Sequence, residues 1–327
     1  MESDIFTQIE ARPIPGPPVP LVIEPAKEQT DAVGWATAHR RAIRKLLLRD
    51  GGILFRGFSR GSVETFRNFI AAVSAEPLPY LERSSPRHEV ADHVYTSTDH
   101  PPRHPIPLHN EQSYNITWPL RIFFHCVIPP AGGGGTPVAD CRKVYQRISP
   151  AVRARLEERD YLYVRHFGSG MGLSWQEAFQ TSERGAVESY CAENDIKFTW
   201  EAGGELTTRQ RRPVSAAHPE SGEMTWFNHV TFFNVSTLDP MVAEALLSMG
   251  KENLPNNTYY GDGAEIEPAV LDELRAAYEA EKVVIPWQEG DIMMLDNMLV
   301  AHGREAYKPP RQIVVGMAEP WSGSKGP

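Results

Sequence analysis

The sequence predicts a jelly roll, a double-stranded β-helix with helices gathered around it, on three observations. Many short runs rich in β-branched and aromatic residues are separated by Gly, Pro and Ser turns. The helical segments between them do not alternate regularly with strands, which disfavours a doubly wound parallel sheet. No repeat, linker or low-complexity segment divides the 327 residues, so the expectation is a single domain over 1–327.

Taken in order, residues 12–25 hold prolines at 13, 15, 17, 18, 20 and 25, which excludes helix and predicts an extended surface arm over about 1–28. From Gln29 to Arg49 the residues Val33, Trp35, Ala36, Ala42, Ile43 and Leu46 to Leu48 recur at helical spacing and stop at Gly51-Gly52. Residues 52–57 read as a buried strand, and Ser62 to Ala75 as a helix capped by Ser62. Residues 79–108 are rich in Pro, Ser, Asp, Arg and His without periodicity and predict an active-site lid loop, with His88, His93, His100 and His104 as surface side chains. Arg121 to Val127 reads as a strand. Four glycines, Gly132 to Gly135, then turn the chain so that Thr136 enters a core position, and no Gly-Lys-Ser/Thr follows to make a phosphate loop.

Downstream, Cys141 to Leu156 is helical with a break at Ser149-Pro150, Tyr161 to Phe167 extended, and Arg184 to Glu193 helical. Residues 213–217 and 224–228 form a hairpin around His218. Val242 to Met249 and Pro268 to Glu281 are helices; Val283 to Trp287, Asp291 to Leu295 and Gln312 to Ala318 are strands.

Composition bounds the function. A formal charge of -9 opposes nucleic acid or an anionic membrane as partner, since both require a basic face. Three cysteines without CxxC spacing indicate neither a disulfide framework nor a structural zinc site. No run approaches 18 apolar residues and the first residues hold no apolar signal core, so the expectation is a cytoplasmic protein.

The chemistry gathers at Pro107-Leu108-His109-Asn110-Glu111-Gln112-Ser113-Tyr114. In an extended segment alternate residues share a face, so His109 and Glu111 present one nitrogen and one oxygen to a single metal ion while Asn110 faces away. His218-Pro219-Glu220 has the same spacing, but Pro, Ser and Gly spell a turn there, and that pair reads as structural. His302 supplies a third candidate ligand. Two histidines and a carboxylate suit Fe(II) with open coordination positions, and zinc with one open position for a hydrolytic water is the rival.

With His109-Asn110-Glu111, Gly135-Thr136-Pro137-Val138-Ala139-Asp140, Trp226-Phe227-Asn228, His302-Gly303-Arg304 and Arg311 standing in that order, the chain resembles the taurine dioxygenase and clavaminate synthase superfamily of Fe(II)/2-oxoglutarate oxygenases from about Gly51 to Pro320. Within it the likeness is closest to the syringomycin-type amino-acid β-hydroxylases. The resemblance implies His109, Glu111 and His302 as iron ligands, Thr136 and Arg311 as holders of the distal carboxylate of 2-oxoglutarate, and O2 as second co-substrate. It implies hydroxylation of an amino acid or amino-acid-derived intermediate, with desaturation or cyclisation as the alternative outcome. Members that chlorinate carry a small residue at the metal carboxylate; Glu111 fills that position. Sulfonate-cleaving members place an arginine four residues past the one that grips 2-oxoglutarate; here that position is Val315, against a taurine-type substrate. Gln112, Ser113, Tyr114, Trp226, Asn228 and His229 are the candidate substrate contacts, and Arg209, Arg211 and Arg212 either a docking patch for an acidic carrier protein or a solvated loop. Tyr114, Trp118 and Trp226 are possible walls of an aromatic cage for a quaternary ammonium of the γ-butyrobetaine type. A metal-binding sensor without turnover has no need for the full set of ligands and anchors, and a zinc hydrolase leaves Thr136 and Arg311 without a role.

Overall fold

The computed structural model describes residues 9–13, 19–27, 30–75, 77–78, 82–84, 89–91, 93–96, 100–168 and 172–323. Its frame is two sheets closed face to face. The larger has eight strands in the order Ile9–Pro13, Leu21–Pro25, Gly52–Phe55, Ile292–Asp296, Thr117–Ile128, Gln312–Ser322, Val94–Thr96 and Glu89–Ala91. The smaller has four, in the order Val283–Ile285, Thr136–Asp140, Val300–Arg304 and Ile106–His109. Between them lies one core: Phe124, Met293, Ile313 and Val315 from the larger sheet pack with Val138, Ile285 and Val300 from the smaller. The fold is the expected jelly roll, and alternation of inward apolar residues on both sheets fixes its register.

Helices Ala32–Asp50 and Val63–Val73 cover the outer face of the large sheet, packing Ile43, Leu47, Phe66 and Phe69 onto Ile53, Phe55 and Phe123. Their ends follow the sequence. Asp31 accepts hydrogen bonds from the Val33 and Gly34 amides, Ser62 caps the Thr65 amide at 3.2 Å, and Gly51 ends the first helix at φ +76°. Each cap carboxylate or hydroxyl satisfies amides that have no intrahelical acceptor.

Three expectations are corrected. Residues 19–25 are no surface arm: Leu21–Pro25 pairs in parallel with Gly52–Phe55, and Val19, Leu21, Val22 and Ile23 are buried. Proline excludes helix but not a strand end: Pro20 precedes this strand and Pro25 closes it, while Leu21, Val22 and Ile23 between them favour burial. Residues 1–8, 14–18 and 28 of the predicted arm lie outside the described residues. The segment 79–108 is not one loop, because Val94–Thr96 and Glu89–Ala91 extend the large sheet and Ile106–His109 belongs to the small one. His88 lies outside the described residues. Arg209, Arg211 and Arg212 are not a loop either. They sit on the strand Leu206–Arg212, where alternate residues face opposite ways. Arg212 is 4% exposed and donates to the carbonyls of Tyr114 and Asn194, whereas Arg211 pairs with Asp160 at 2.9 Å on the surface.

That strand belongs to a third sheet, ordered Ile196–Trp200, Leu206–Arg212, Tyr161–Phe167 and Asn256–Tyr260. It holds residues 82–84 through a buried charge. The Glu82 carboxylate accepts from Arg165 at 3.0 Å, Gln210 at 2.9 Å and Tyr190 at 3.2 Å, and the Glu82 carbonyl accepts from Tyr114 at 2.8 Å. Removing one member of a buried pair leaves its partner charged and unsolvated, so Glu82→Leu is expected to lower stability by about 3 to 5 kcal/mol. Urea unfolding of the variant beside wild type measures it, and a difference under about 1 kcal/mol, the range of exposed pairs, refutes a structural role for the pair.

Candidate metal centre

His109 ends its strand directly across from His302: the two residues are register partners in the small sheet, and their rings lie 4.6 Å apart between centroids. Cross-strand neighbours on one face of a sheet meet as a matter of geometry, so strand pairing alone brings the two imidazoles together. Glu111 follows after Asn110, where the chain has left the strand and turned. One ligand atom from each of His109, Glu111 and His302 lies within 4.8 Å of the others, and the residues are 9%, 2% and 4% exposed. Among the described residues this is the one such group.

The surroundings fit a metal ion. His109 Nδ1 lies 3.0 Å from the Pro107 carbonyl, an acceptor, so Nδ1 carries the proton and Nε2 keeps the lone pair a metal takes. Two neutral imidazoles and a carboxylate, all buried, form a donor set of net charge -1 that a divalent cation balances. Phe232 packs against the His109 ring at 4.6 Å and Phe124 against that of His302 at 5.1 Å, so each imidazole has an apolar ring beside it.

Thr136 and Arg311 stand on two sides of the glycine turn. Gly133 and Gly134 take φ of +65° and +72°, and a Cβ on Gly135 would fall 2.6 Å from Val284 and 3.0 Å from the Ile285 carbonyl. Only glycine lets the chain enter there and pair Thr136 with Ile285. Thr136 is 2% exposed, and its hydroxyl accepts from the Trp287 indole at 3.0 Å, which leaves the hydroxyl proton for another acceptor. Arg311 reaches the Gly134 carbonyl at 3.2 Å. Burial, with the Arg304 charge adding, pushes its guanidinium down to about 10.

Arg304, the nearest competitor, is otherwise engaged. Its guanidinium donates to the carbonyls of His100, Pro101 and His104 at 2.9, 2.8 and 2.7 Å, tying that loop to the strand of His302. Val315 is 1% exposed in the core, so no cationic group stands at that position.

The candidate substrate contacts divide. Ser113 shares a hydrogen bond with His229, whose ring lies 5.8 Å from that of His109, and burial holds His229 neutral by lowering its pKa well below the usual value. Gln112, adjacent to Glu111, is 3% exposed at φ +56°, with its side-chain NH2 unpartnered. Asn228 is tied within the protein: its amide donates to the Val214 carbonyl at 2.6 Å and accepts from the Val230 amide at 2.9 Å. Trp226 is fully buried and, with Tyr114, packs in the core of the third sheet, while Trp118 packs on Phe227 in a separate cluster. The three aromatic residues therefore do not converge as a cage. Trp287 and Phe232 were missed by sequence reasoning, because an indole or phenyl ring beside a site carries no motif that would reveal it.

The chain matches the family of taurine catabolism dioxygenase TauD, TfdA, over residues 15–318. It is 37% identical over 279 residues to the dapdiamide synthesis protein DdaC of Enterobacter agglomerans, covering 85% of each chain. It is 30% identical over 329 residues to a clavaminate synthase-like protein of Arabidopsis thaliana, covering 97% of this chain and 95% of that one. Among solved structures it superposes on PvcB, described as an Fe, alpha-ketoglutarate dependent oxygenase from an isonitrile synthetic pathway, with a TM-score of 0.56 at 16% identity, over 95% of this chain and 92% of that one. No helix among the described residues is long and apolar enough to cross a membrane. The chain thus belongs to the TauD/TfdA family and is an Fe(II)- and 2-oxoglutarate-dependent dioxygenase.

Proposed function

We propose that this single-domain chain hydroxylates an unactivated carbon of an amino acid or an amino-acid-derived natural-product intermediate. In this reading His109, Glu111 and His302 hold the iron, and Thr136 and Arg311 grip the distal carboxylate of 2-oxoglutarate. The observation that carries it is the meeting of three buried donor atoms within 4.8 Å of one another, two of them set by strand pairing. When bound, Fe(II) with 2-oxoglutarate and O2 supplies the oxidising power, and succinate and CO2 are released.

The chain's own residues bind and orient. Arg311 offers a charged fork and Thr136 a hydroxyl donor, which together match a carboxylate. The Pro107 carbonyl fixes the tautomer of His109, and Phe232 and Phe124 pack beside the imidazoles. Gln112, with its unpartnered buried NH2, follows Glu111 in the chain, and His229, bonded to Ser113, lies 5.8 Å from the His109 ring; such groups discriminate sharply against analogues that cannot hydrogen-bond.

The substrate class draws support from the dapdiamide synthesis relative. Burial of Val315 gives no support to a sulfonate substrate, and the separate packing of Trp118 gives none to a quaternary ammonium. Arg212 is buried, so of the basic cluster Arg209 and Arg211 alone remain exposed to meet an acidic carrier. A panel of free amino acids, carrier-tethered amino acids, taurine and γ-butyrobetaine, read by succinate coupled to hydroxylated product, tests the reading. Coupled turnover of an amino-acid substrate is the expected result; coupled turnover of taurine or γ-butyrobetaine alone overturns it.

A further inference from the structure

We propose that Asn297 is a positioning residue that sets the Glu111 carboxylate at the metal. The inference rests on His109, Glu111 and His302 being the ligands and extends to a side chain outside that set. Strand pairing accounts for the two histidines, because His109 and His302 are register partners. It does not account for Glu111, which lies past the last paired residue of its strand.

A single side-chain amide takes the place of the missing strand. Asn297 Oδ1 accepts from the Glu111 amide at 2.8 Å, and Asn297 Nδ2 donates to the Glu111 carbonyl at 2.9 Å and to the Pro119 carbonyl at 2.9 Å. The orientation of the amide is unambiguous, since a flip would set its NH2 against an N–H and its oxygen against two carbonyls. The Asn297 carbonyl also accepts from Asn110 Nδ2 at 2.7 Å, which turns the residue between the two ligands away from the metal. Both faces of the turn are therefore held by one residue, itself fully buried.

The clamp is itself anchored. The Asn297 amide donates to the Leu120 carbonyl at 2.9 Å. Its neighbour Asp296 accepts from the amides of Met298 and Leu299 at 3.1 and 3.2 Å and faces Arg121 and His218 with its other oxygen. The His218 ring accepts two backbone amides at Nδ1, so Nε2 is the nitrogen that donates to Asp296. From this fixed corner the chain enters the strand that carries His302. One short segment thereby relates the carboxylate to the opposite histidine.

The test is a double-mutant cycle read by metal affinity, with Ni(II) as probe because it binds two imidazoles tightly enough to be measured without Glu111. Asn297→Ala is expected to weaken Ni(II) binding about 10 to 100-fold when Glu111 is present and less than ~3-fold in the Glu111→Ala background. Equal losses in both backgrounds, or none in either, overturn the proposal. If circular dichroism shows Asn297→Ala unfolded, Asn297→Asp, which keeps the acceptor and shape but loses both donors, goes through the same cycle. Failure of both variants to fold overturns the proposal in favour of a general structural role. Loss of His302-dependent Ni(II) binding in the wild-type chain would instead overturn the ligand assignment beneath it.

Discussion

The His302→Ala protein is expected to hold no Fe(II) at micromolar metal while keeping its fold. The strand of His302 is paired on both sides, to Thr136–Asp140 and to Ile106–His109, and these backbone hydrogen bonds do not depend on the imidazole. What is lost is one of three donors. Loss of a group merely orienting a ligand weakens metal binding roughly 10 to 100-fold, and loss of the ligand itself must exceed that. Anaerobic titration with Fe(II) and 2-oxoglutarate, followed by the visible charge-transfer band of the chelate, reads the result directly. Stoichiometric iron in the folded variant would remove His302 from the ligand set.

How far the sequence shows such a site depends on whether local pattern or tertiary context places each residue. The helix over Pro268–Glu281 and the strand over Tyr161–Phe167 stand where periodicity puts them, because cap and turn residues bound each within its own segment. The strands at Val94–Thr96 and Leu206–Arg212 were not legible: one is three residues long among polar neighbours, and the other carries three arginines. Their pairing comes from distant partners, Val315 for Tyr95 and Tyr161 for Arg212, which no local window contains. The same division runs through the site. The spacing of His109 and Glu111 shows in the sequence, but their convergence comes by a turn and an asparagine side chain rather than by strand alternation. Asn297 carries no motif. Asn228 shows the reverse case, a polar residue at the end of an apolar strand whose partners are backbone groups of its own loop and of Val214.

Arg311→Ala is expected to raise the apparent constant for 2-oxoglutarate at least roughly 30-fold, the effect of losing a charge-assisted bidentate contact of about 2 to 4 kcal/mol. Two residues could supply that charge, Arg304 and Arg311, and they sit in different settings. Arg304 directs its guanidinium at three carbonyls of the loop 100–104, so its substitution should release that loop and impair the enzyme through packing. Arg311 sits beside the glycine turn that delivers Thr136, in a setting where burial and the Arg304 charge lower its pKa to about 10. A bound carboxylate would raise that pKa, and the sign follows: affinity for 2-oxoglutarate should be constant through neutral pH and fall as pH rises through about 10, where the empty site loses its proton. Binding titrations across that range, on wild type and on Arg311→Lys, separate charge from fork geometry, since lysine keeps one and not the other. An unchanged constant in a folded Arg311→Ala protein would move the anchor to another cation. A 30-fold loss with Fe(II) binding intact would place Arg311 on the co-substrate and not on the metal.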